Sequence, residues 1–153
     1  MMKLGCMSLS YKDQFASGEI DLVRFIDKAY ELRSFASTDP DYLRDIRMRC
    51  LQRGLAISYI GVSNNFGKPE AELPEAVAEV NQWVDVAAFM GIPLIRVFAA
   101  WVPQGESEES VWARMMPRMR EIAAHAEEKG VVLGLHNHNH GCVTRTGKDV
   151  KRI

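Results

Sequence analysis

Cysteine is scarce in this sequence, and neither sign of charge is in excess. The 153 residues contain three cysteines, Cys6, Cys50 and Cys142, too far apart to form a CxxC pair. An odd number at such spacings argues against a disulfide scaffold and for reduced thiols, so we expect a cytoplasmic protein. The 19 basic and 20 acidic residues leave a formal net charge of -1 and are mixed along the chain, which argues against a nucleic-acid partner.

Long apolar runs are also missing. The first residues, MMKLGCMSLSY, are too short and too polar for the apolar region of a secretion signal. The composition, with 47% apolar and 25% charged residues, is that of an ordinary soluble globular protein. We therefore expect residues 1–153 to form one domain, with no membrane as a partner.

The sequence does contain an alternation of strand and helix patterns. Segments rich in branched apolar residues predict strands at 55–62, 92–101 and 131–138, and helical patterns lie between them at 72–91 and 107–130. The strand starts at Leu55, Pro93 and Val131 repeat every 38 residues. Strands that are apolar on nearly every residue, separated by helices, predict an α/β fold with a parallel sheet.

The first third of the chain departs from this repeat. Its predicted elements are a strand at 3–9, a helix at about 19–32 and a second helix that opens at STDP and closes at Gly54. No strand pattern separates these helices, and the 51 residues from Leu4 to Leu55 are too few for two units of 38. The sequence therefore predicts that one strand is missing near AYELRSFAS.

Four stretches carry a resemblance to a known family. They are LGCMSLSY, GLAISYIGVSNNFG, AAFMGIPLIRVFAAW and AAHAEEKGVVLGLHNHNHG, and the last, with A-x-x-K-G before V-V-L-x-L-x-N-H, is the most specific. Together they resemble the xylose-isomerase-like barrel proteins, a group of sugar phosphate isomerases and epimerases. The resemblance implies a partial (β/α)8 TIM barrel with strands 1, 3, 4 and 5 present and strand 2 missing. A complete barrel needs roughly 250 residues, so strands 6 to 8 would lie beyond Ile153.

The resemblance also implies a divalent metal, Mn, Mg, Zn or Co. In the family, carboxylates and a histidine at the ends of strands 5 to 8 hold the ion, and only the strand 5 position lies in this chain. There His136 replaces the usual glutamate of L-x-L-E-N-H, while Asn137 and His138 match. The implied reaction is metal-assisted proton transfer on a keto or aldo sugar. We expect this chain alone to be inactive, because no acidic residue lies at the end of a predicted strand.

Three histidines at alternate positions are the main candidate ligands. His136 and His138 share one face of the predicted strand with Gly134, and His140 would join them if the strand continued. In a barrel this end of a strand carries the active site, so we assign His136 and His138 to the metal and His138 also to substrate. The alternative is that they are hydrogen-bonding residues at a solvated strand end.

Further candidates follow the other strands. Arg96 lies where an apolar residue is expected, and a buried guanidinium requires either an anionic substrate group or a carboxylate. Asn64, with Asn65 beside it, suits sugar hydroxyls, although a turn-forming role is an equal alternative. Trp101 offers an indole face to a sugar ring. We therefore assign Asn64 and Arg96 to substrate binding.

Three functions remain open from sequence alone. The first is part of a metal-dependent sugar isomerase or epimerase, with a small sugar or sugar phosphate as partner. The second is a non-catalytic half barrel that assembles with another copy or another chain through its open sheet edges. The third is a metal-dependent hydrolase of the same barrel type, which the balanced charge disfavours if its substrate is nucleic acid.

Overall fold

The computed structural model describes residues 12–21 and 37–153. The helices within these ranges are α1 (Lys12–Ala16), α2 (Pro40–Gln52), α3 (Leu73–Met90), α4 (Glu108–Lys129) and α5 (Gly147–Val150). The strands are β1 (Ile60–Gly61), β2 (Leu94–Val97) and β3 (Val132–Leu135). None of the helices within these ranges is long and apolar enough to cross a membrane.

The three strands form a parallel sheet in the order β1-β2-β3. Ile60 pairs with Ile95, and Arg96 pairs with both Gly61 and Gly134. Helix α3 leads from β1 to β2 and α4 leads from β2 to β3, so each crossover is a strand-helix-strand unit. The predicted α/β alternation with a parallel sheet, as in a partial barrel, is confirmed.

The observed strands are shorter than the predicted segments. Only Ile60 and Gly61 of 55–62 are in a strand, and β2 and β3 have four residues each. Beyond their ends, single bonds continue the pairing: Val62 N–H donates to Arg96 O and His136 N–H donates to Val97 O, both at 2.9 Å. The chain then turns into the loops that follow each strand, and these loops carry the candidate residues.

The core lies between the outer face of the sheet and helices α3 and α4. Ile60, Ile95 and Val97 point outward from the strands and are buried. They meet apolar stripes on the two helices, formed by Leu73, Val77, Val80, Val84 and Ala87 of α3 and by Val111, Met115, Met119, Ile122 and Ala126 of α4. Burial of each large side chain contributes about 1.5–3 kcal/mol. This packing holds the helices against one face and leaves Leu94 and Arg96 on the other, half-buried.

Helix ends follow the sequence signals. Asp39, within the STDP at which this helix was predicted to open, caps α2 and accepts hydrogen bonds from the N–H groups of Asp41 and Tyr42 at 3.0 Å. Gly91 and Gly130 end α3 and α4 with φ of 69°. The two glycine caps determine where the chain leaves each helix to enter β2 and β3.

The first part of the chain differs from the prediction where it is described. Lys12–Ala16 is helical although a loop was expected, and residues 19–21, the predicted start of the next helix, are not helical. Gly18, with φ of 73°, ends the helical turn there. The predicted strand at 3–9, the rest of that helix and most of AYELRSFAS lie outside the described residues.

Among the glycines that the structure describes, Gly67 has the least room for a side chain. A Cβ atom built at Gly67 would lie 1.9 Å from the main-chain oxygen of Trp101. The loop after β1 can therefore meet the loop after β2 only if residue 67 has no side chain.

We expect Gly67→Ala to destabilise the protein by about 3 kcal/mol, the upper end of the cost of overpacking. Gly147→Ala is the matched control, because a Cβ at Gly147 meets nothing within 4 Å. It should change stability by no more than about 0.5 kcal/mol. Urea unfolding of the two variants measures both values, and equal stabilities would contradict this account of the contact.

Candidate functional site

The candidate residues gather where the three parallel strands end. In barrels and open α/β sheets, ligands bind at the carboxyl ends of the strands, because the loops there can vary without disturbing the core. In this structure Asn64 follows β1, Arg96 lies in β2, and His136 and His138 follow β3. The structure thus brings all four predicted residues to one end of the sheet, where each contacts Phe98.

Five aromatic and imidazole rings form a cluster at this end, which we call the rim cluster: Phe98, Trp101, His136, His138 and His140. Phe98 is at its centre, stacked on His136 with centroids 5.2 Å apart and in edge contact with Trp101 at 5.0 Å. His138 lies 5.6 Å from both Phe98 and Trp101. The cluster joins the loop after β2 to the loop after β3.

The three histidines lie in a row even though β3 ends before them. Centroids of His136 and His138 are 6.2 Å apart, as are those of His138 and His140. The strand does not continue, because His138 N–H donates to Thr144 O and the chain turns at His140, which has a φ of 54°. A turn, and not the continued strand that the sequence left open, brings the ring of His140 next to His138.

Two contacts set the chemistry of the imidazoles. His138 Nδ1 lies 3.0 Å from the carbonyl oxygen of Asn139, which orients this ring and leaves its Nε2 for another partner. Partial desolvation of the His136 ring lowers its pKa, and the positive charge of Arg96 and the neighbouring His138 lower that pKa further. His136 is therefore neutral at neutral pH.

Arg96 lies across the neighbouring strand. Its Nη1 donates to Val62 O at 3.0 Å, and its guanidinium carbon lies 4.3 Å from the centroid of Phe98. A Cβ at Gly61 would lie 2.7 Å from Nη2, so the glycine opposite Arg96 provides the space that the guanidinium fills. A carbonyl oxygen and an aromatic face thus stabilise this cation. From the sequence, only anionic partners were expected.

Asn64 connects β1 to β2 beyond the end of their regular pairing. It is 2% exposed, its Oδ1 accepts from Phe98 N–H and its Nδ2 donates to Phe98 O, both at 2.8 Å. The side-chain amide thereby replaces a backbone peptide in the ladder. Any contact of Asn64 Oδ1 with a sugar hydroxyl would have to share or replace its bond to Phe98.

Sequence reasoning missed two residues that shape the site. Phe98 contacts Trp101, two histidines and Arg96, and its position two residues after Arg96 was the available signal. Arg114 of α4 donates to Gly67 O at 2.5 Å and pairs with Glu106. Nothing in the sequence distinguishes Arg114 from the other arginines of that helix.

The rim cluster brings two imidazoles, those of His136 and His138, next to each other. Within residues 12–21 and 37–153, no group of three or more His, Cys, Asp or Glu side chains is placed to hold an ion. His125, on α4, is remote from the cluster and contacts Asp85 instead. The assignment of His136 and His138 to a metal stays a prediction.

Solved structures of the same fold cover most of this chain. A D-tagatose 3-epimerase-like protein matches 97% of it with a TM-score of 0.73 and 15% identity, and the chain covers 58% of that protein. The 3-keto-D-glucoside 4-epimerase YcjR of E. coli matches 85% at TM-score 0.70 and 16% identity, with 56% of its own length covered. A xylose isomerase-like TIM barrel protein of Mycobacterium smegmatis, in complex with magnesium, matches 85% at TM-score 0.64 and 17% identity, with 49% covered.

This chain therefore spans about half to three-fifths of the length of these proteins, and at such identities the likeness shows the fold alone. No curated protein sequence matches the chain significantly. The family model of the xylose isomerase-like TIM barrel matches residues 16–153. The chain belongs to the xylose isomerase-like TIM barrel family.

Proposed function

We propose that this chain supplies part of the metal- and substrate-binding rim of a sugar isomerase or epimerase. The observation that carries the proposal is the pair His136 and His138, packed with Phe98 and Trp101 at the carboxyl ends of β2 and β3. The proposed reaction is proton transfer between neighbouring carbons of a keto or aldo sugar or sugar phosphate. D-Tagatose is a suitable probe, since it is the ketose in the name of one structural neighbour.

The two imidazoles fit the requirements of a metal ligand. His136 is neutral at neutral pH because its pKa is lowered, and neutral imidazole is the form that binds metal. His138 has Nδ1 against the Asn139 carbonyl, the usual arrangement of a ligand whose second nitrogen faces an ion. Two imidazoles favour Zn²⁺ or Co²⁺ over Mg²⁺. We propose that the remaining ligands come from outside the described residues.

The chain's own residues would bind and orient the sugar. Arg96 places a positive charge beside Phe98, where it can attract a sugar oxygen or a phosphate group. Trp101 offers an indole to the apolar side of a sugar ring. Asn64 contributes by holding Phe98. What a bound divalent ion would supply is Lewis-acid polarisation of the sugar carbonyl. No described residue is assigned as general base, so we expect binding without turnover by this chain alone.

The proposed partner is a small sugar or sugar phosphate rather than a nucleic acid, because basic and acidic residues nearly balance. The proposed location is the cytoplasm. Its support is that Cys50 and Cys142 are both buried free thiols, which suits a reducing compartment.

Replacing His136 or His138 by glutamine should weaken the binding of Co²⁺ at least ~10-fold. Loss of a residue that only supports a metal ligand reduces metal affinity by about 10-fold or more, and loss of a ligand itself should reduce it at least as much. His125→Gln is the control, since His125 contacts Asp85 on the outer helices. Isothermal titration measures the affinities of wild type and of the three variants. Equal affinity of all variants and wild type would exclude the proposed ligand pair.

The sugar half of the proposal is tested on the same samples. Saturation-transfer NMR with Co²⁺ replaced by diamagnetic Zn²⁺ should detect contact with D-tagatose, and the signal should fall in His138→Gln. Galactitol, which has the same carbon chain without the carbonyl, is the matched ligand control. Equal signals from D-tagatose and galactitol would contradict recognition of a ketose.

The pKa of His136 should lie below the ordinary histidine value of about 6.5. Arg96→Gln should raise this pKa, Arg96→Lys should keep it low, and the exposed Arg120→Gln should not change it. Because the unfolded state takes up the proton first as pH falls, the His136 contribution to stability decreases from near pH 6.5 down to its folded pKa. NMR titration of the imidazole measures the pKa, and a value at or above 6.5 would contradict the assignment.

We also propose that the chain self-associates through the edge of β3. Within the described residues β3 pairs only with β2, and Val132 at its start is 59% exposed. Light scattering should therefore detect a dimer or larger species. Val132→Lys should shift the population to monomer, because a charge on an edge strand opposes pairing. Met48→Lys is the control, because Met48 on α2 is similarly exposed and lies in no strand. A monomeric wild type would refute the proposal.

A further inference from the structure

Asn65 joins the loop after β1 to the loop after β2 through a single atom. Its Oδ1 accepts a hydrogen bond from Gly67 N–H at 2.8 Å and another from Trp101 N–H at 3.0 Å. Asn65 is half-buried, so these bonds are partly shielded from water. The carboxamide oxygen therefore holds the peptide of Trp101 against the tight turn at Gly67.

The same turn is held from its other side. Arg114 of α4 donates from Nη2 to Gly67 O at 2.5 Å, and it also pairs with Glu106 in the loop before α4. The side chain of Arg114 is only 16% exposed. The N–H and the C=O of Gly67 thus both have fixed partners, so the Asn65 oxygen that also accepts from Trp101 has little freedom to move.

Trp101 passes this constraint to the loop that carries the histidines. It forms an antiparallel bridge with Cys142, in which Val102 N–H donates to Gly141 O and Val143 N–H donates to Ala100 O. Its indole lies 5.6 Å from His138 and 5.0 Å from Phe98. The backbone of Trp101 is therefore the point at which all three loops meet.

We propose that Asn65 is a positioning residue, which places Trp101 against His138 and does not itself contact the ligand. This inference rests on the proposed function only in taking the rim cluster as the binding site. A direct contact with a sugar would use the amide Nδ2, the one donor group of the side chain. The two roles therefore depend on different atoms of the same side chain.

Asn65→Asp and Asn65→Ala separate these roles. Aspartate keeps an acceptor oxygen for both N–H groups and loses the donor, whereas alanine loses both. Each variant is labelled with 5-fluorotryptophan, and Trp101→Phe assigns the fluorine resonance of Trp101. The resonances of Trp83 on α3 and Trp112 on α4 serve as internal controls of folding.

We expect Asn65→Ala to shift or broaden the Trp101 resonance and leave the other two unchanged, and Asn65→Asp to match the wild type. D-Tagatose contact in Asn65→Asp should also match the wild type. An unchanged Trp101 resonance in Asn65→Ala would overturn the proposal, and so would an Asn65→Asp resonance displaced as far as that of Asn65→Ala.

A second measurement covers the case in which Asn65→Ala does not fold. Hydrogen exchange of the Trp101 amide should be slow in wild type and in Asn65→Asp, because each keeps the acceptor. Fast exchange in either folded protein would contradict the proposal. Both readouts are independent of metal and sugar, so absence of Co²⁺ and D-tagatose binding would count against the proposed function and leave the role of Asn65 separately decided.

Discussion

The two hydrogen bonds between the Asn64 side chain and the main chain of Phe98 hold in place the residue on which Arg96 and His136 pack. Regular pairing of β1 with β2 stops at Gly61 and Arg96, and Asn64 extends it by one more step with a buried amide. Because both amide atoms are paired, burial of this polar group carries little cost, whereas loss of either bond would leave a buried backbone group unpaired. The main chain of Phe98 is thereby held in place, and its ring is the surface on which Arg96 and His136 pack.

Arg96 and His136, which both pack on Phe98, influence each other electrostatically. Arg96 lies 4.3 Å from the Phe98 centroid and His136 lies 5.2 Å from it, so a cation and an imidazole share one aromatic ring. The cation disfavours a second positive charge nearby, which is one reason that the pKa of His136 is lowered. Desolvation of the His136 ring lowers its pKa most, and the cation lowers it further, so packing in the rim cluster affects both the geometry and the protonation of this histidine.

Sequence patterns were sufficient for the parts of the structure that depend on local chemistry. Gly91 and Gly130 end helices because they adopt a left-handed conformation, and the strand-helix repeat implied a parallel sheet. The placement of His136 and His138 at a strand end was also predictable, and their role as metal ligands stays a prediction. The bonds from Asn64 to Phe98, from Arg96 to Val62 and from Asn65 to Trp101 were not predictable, since they span 34 or 36 residues and leave no periodic trace. The row of histidines depends on the turn at His140, which the alternating pattern does not specify.

Arg96 pairs with Gly61 on one side and with Gly134 on the other, so neither of the two paired positions adds a side chain at its level of the sheet. The guanidinium occupies the space over Gly61, where a methyl group would meet Nη2. Position 61 therefore controls where the positive charge of a different residue lies. A change from glycine to alanine at position 61 would therefore displace the cation from its place over β1 without any change at residue 96.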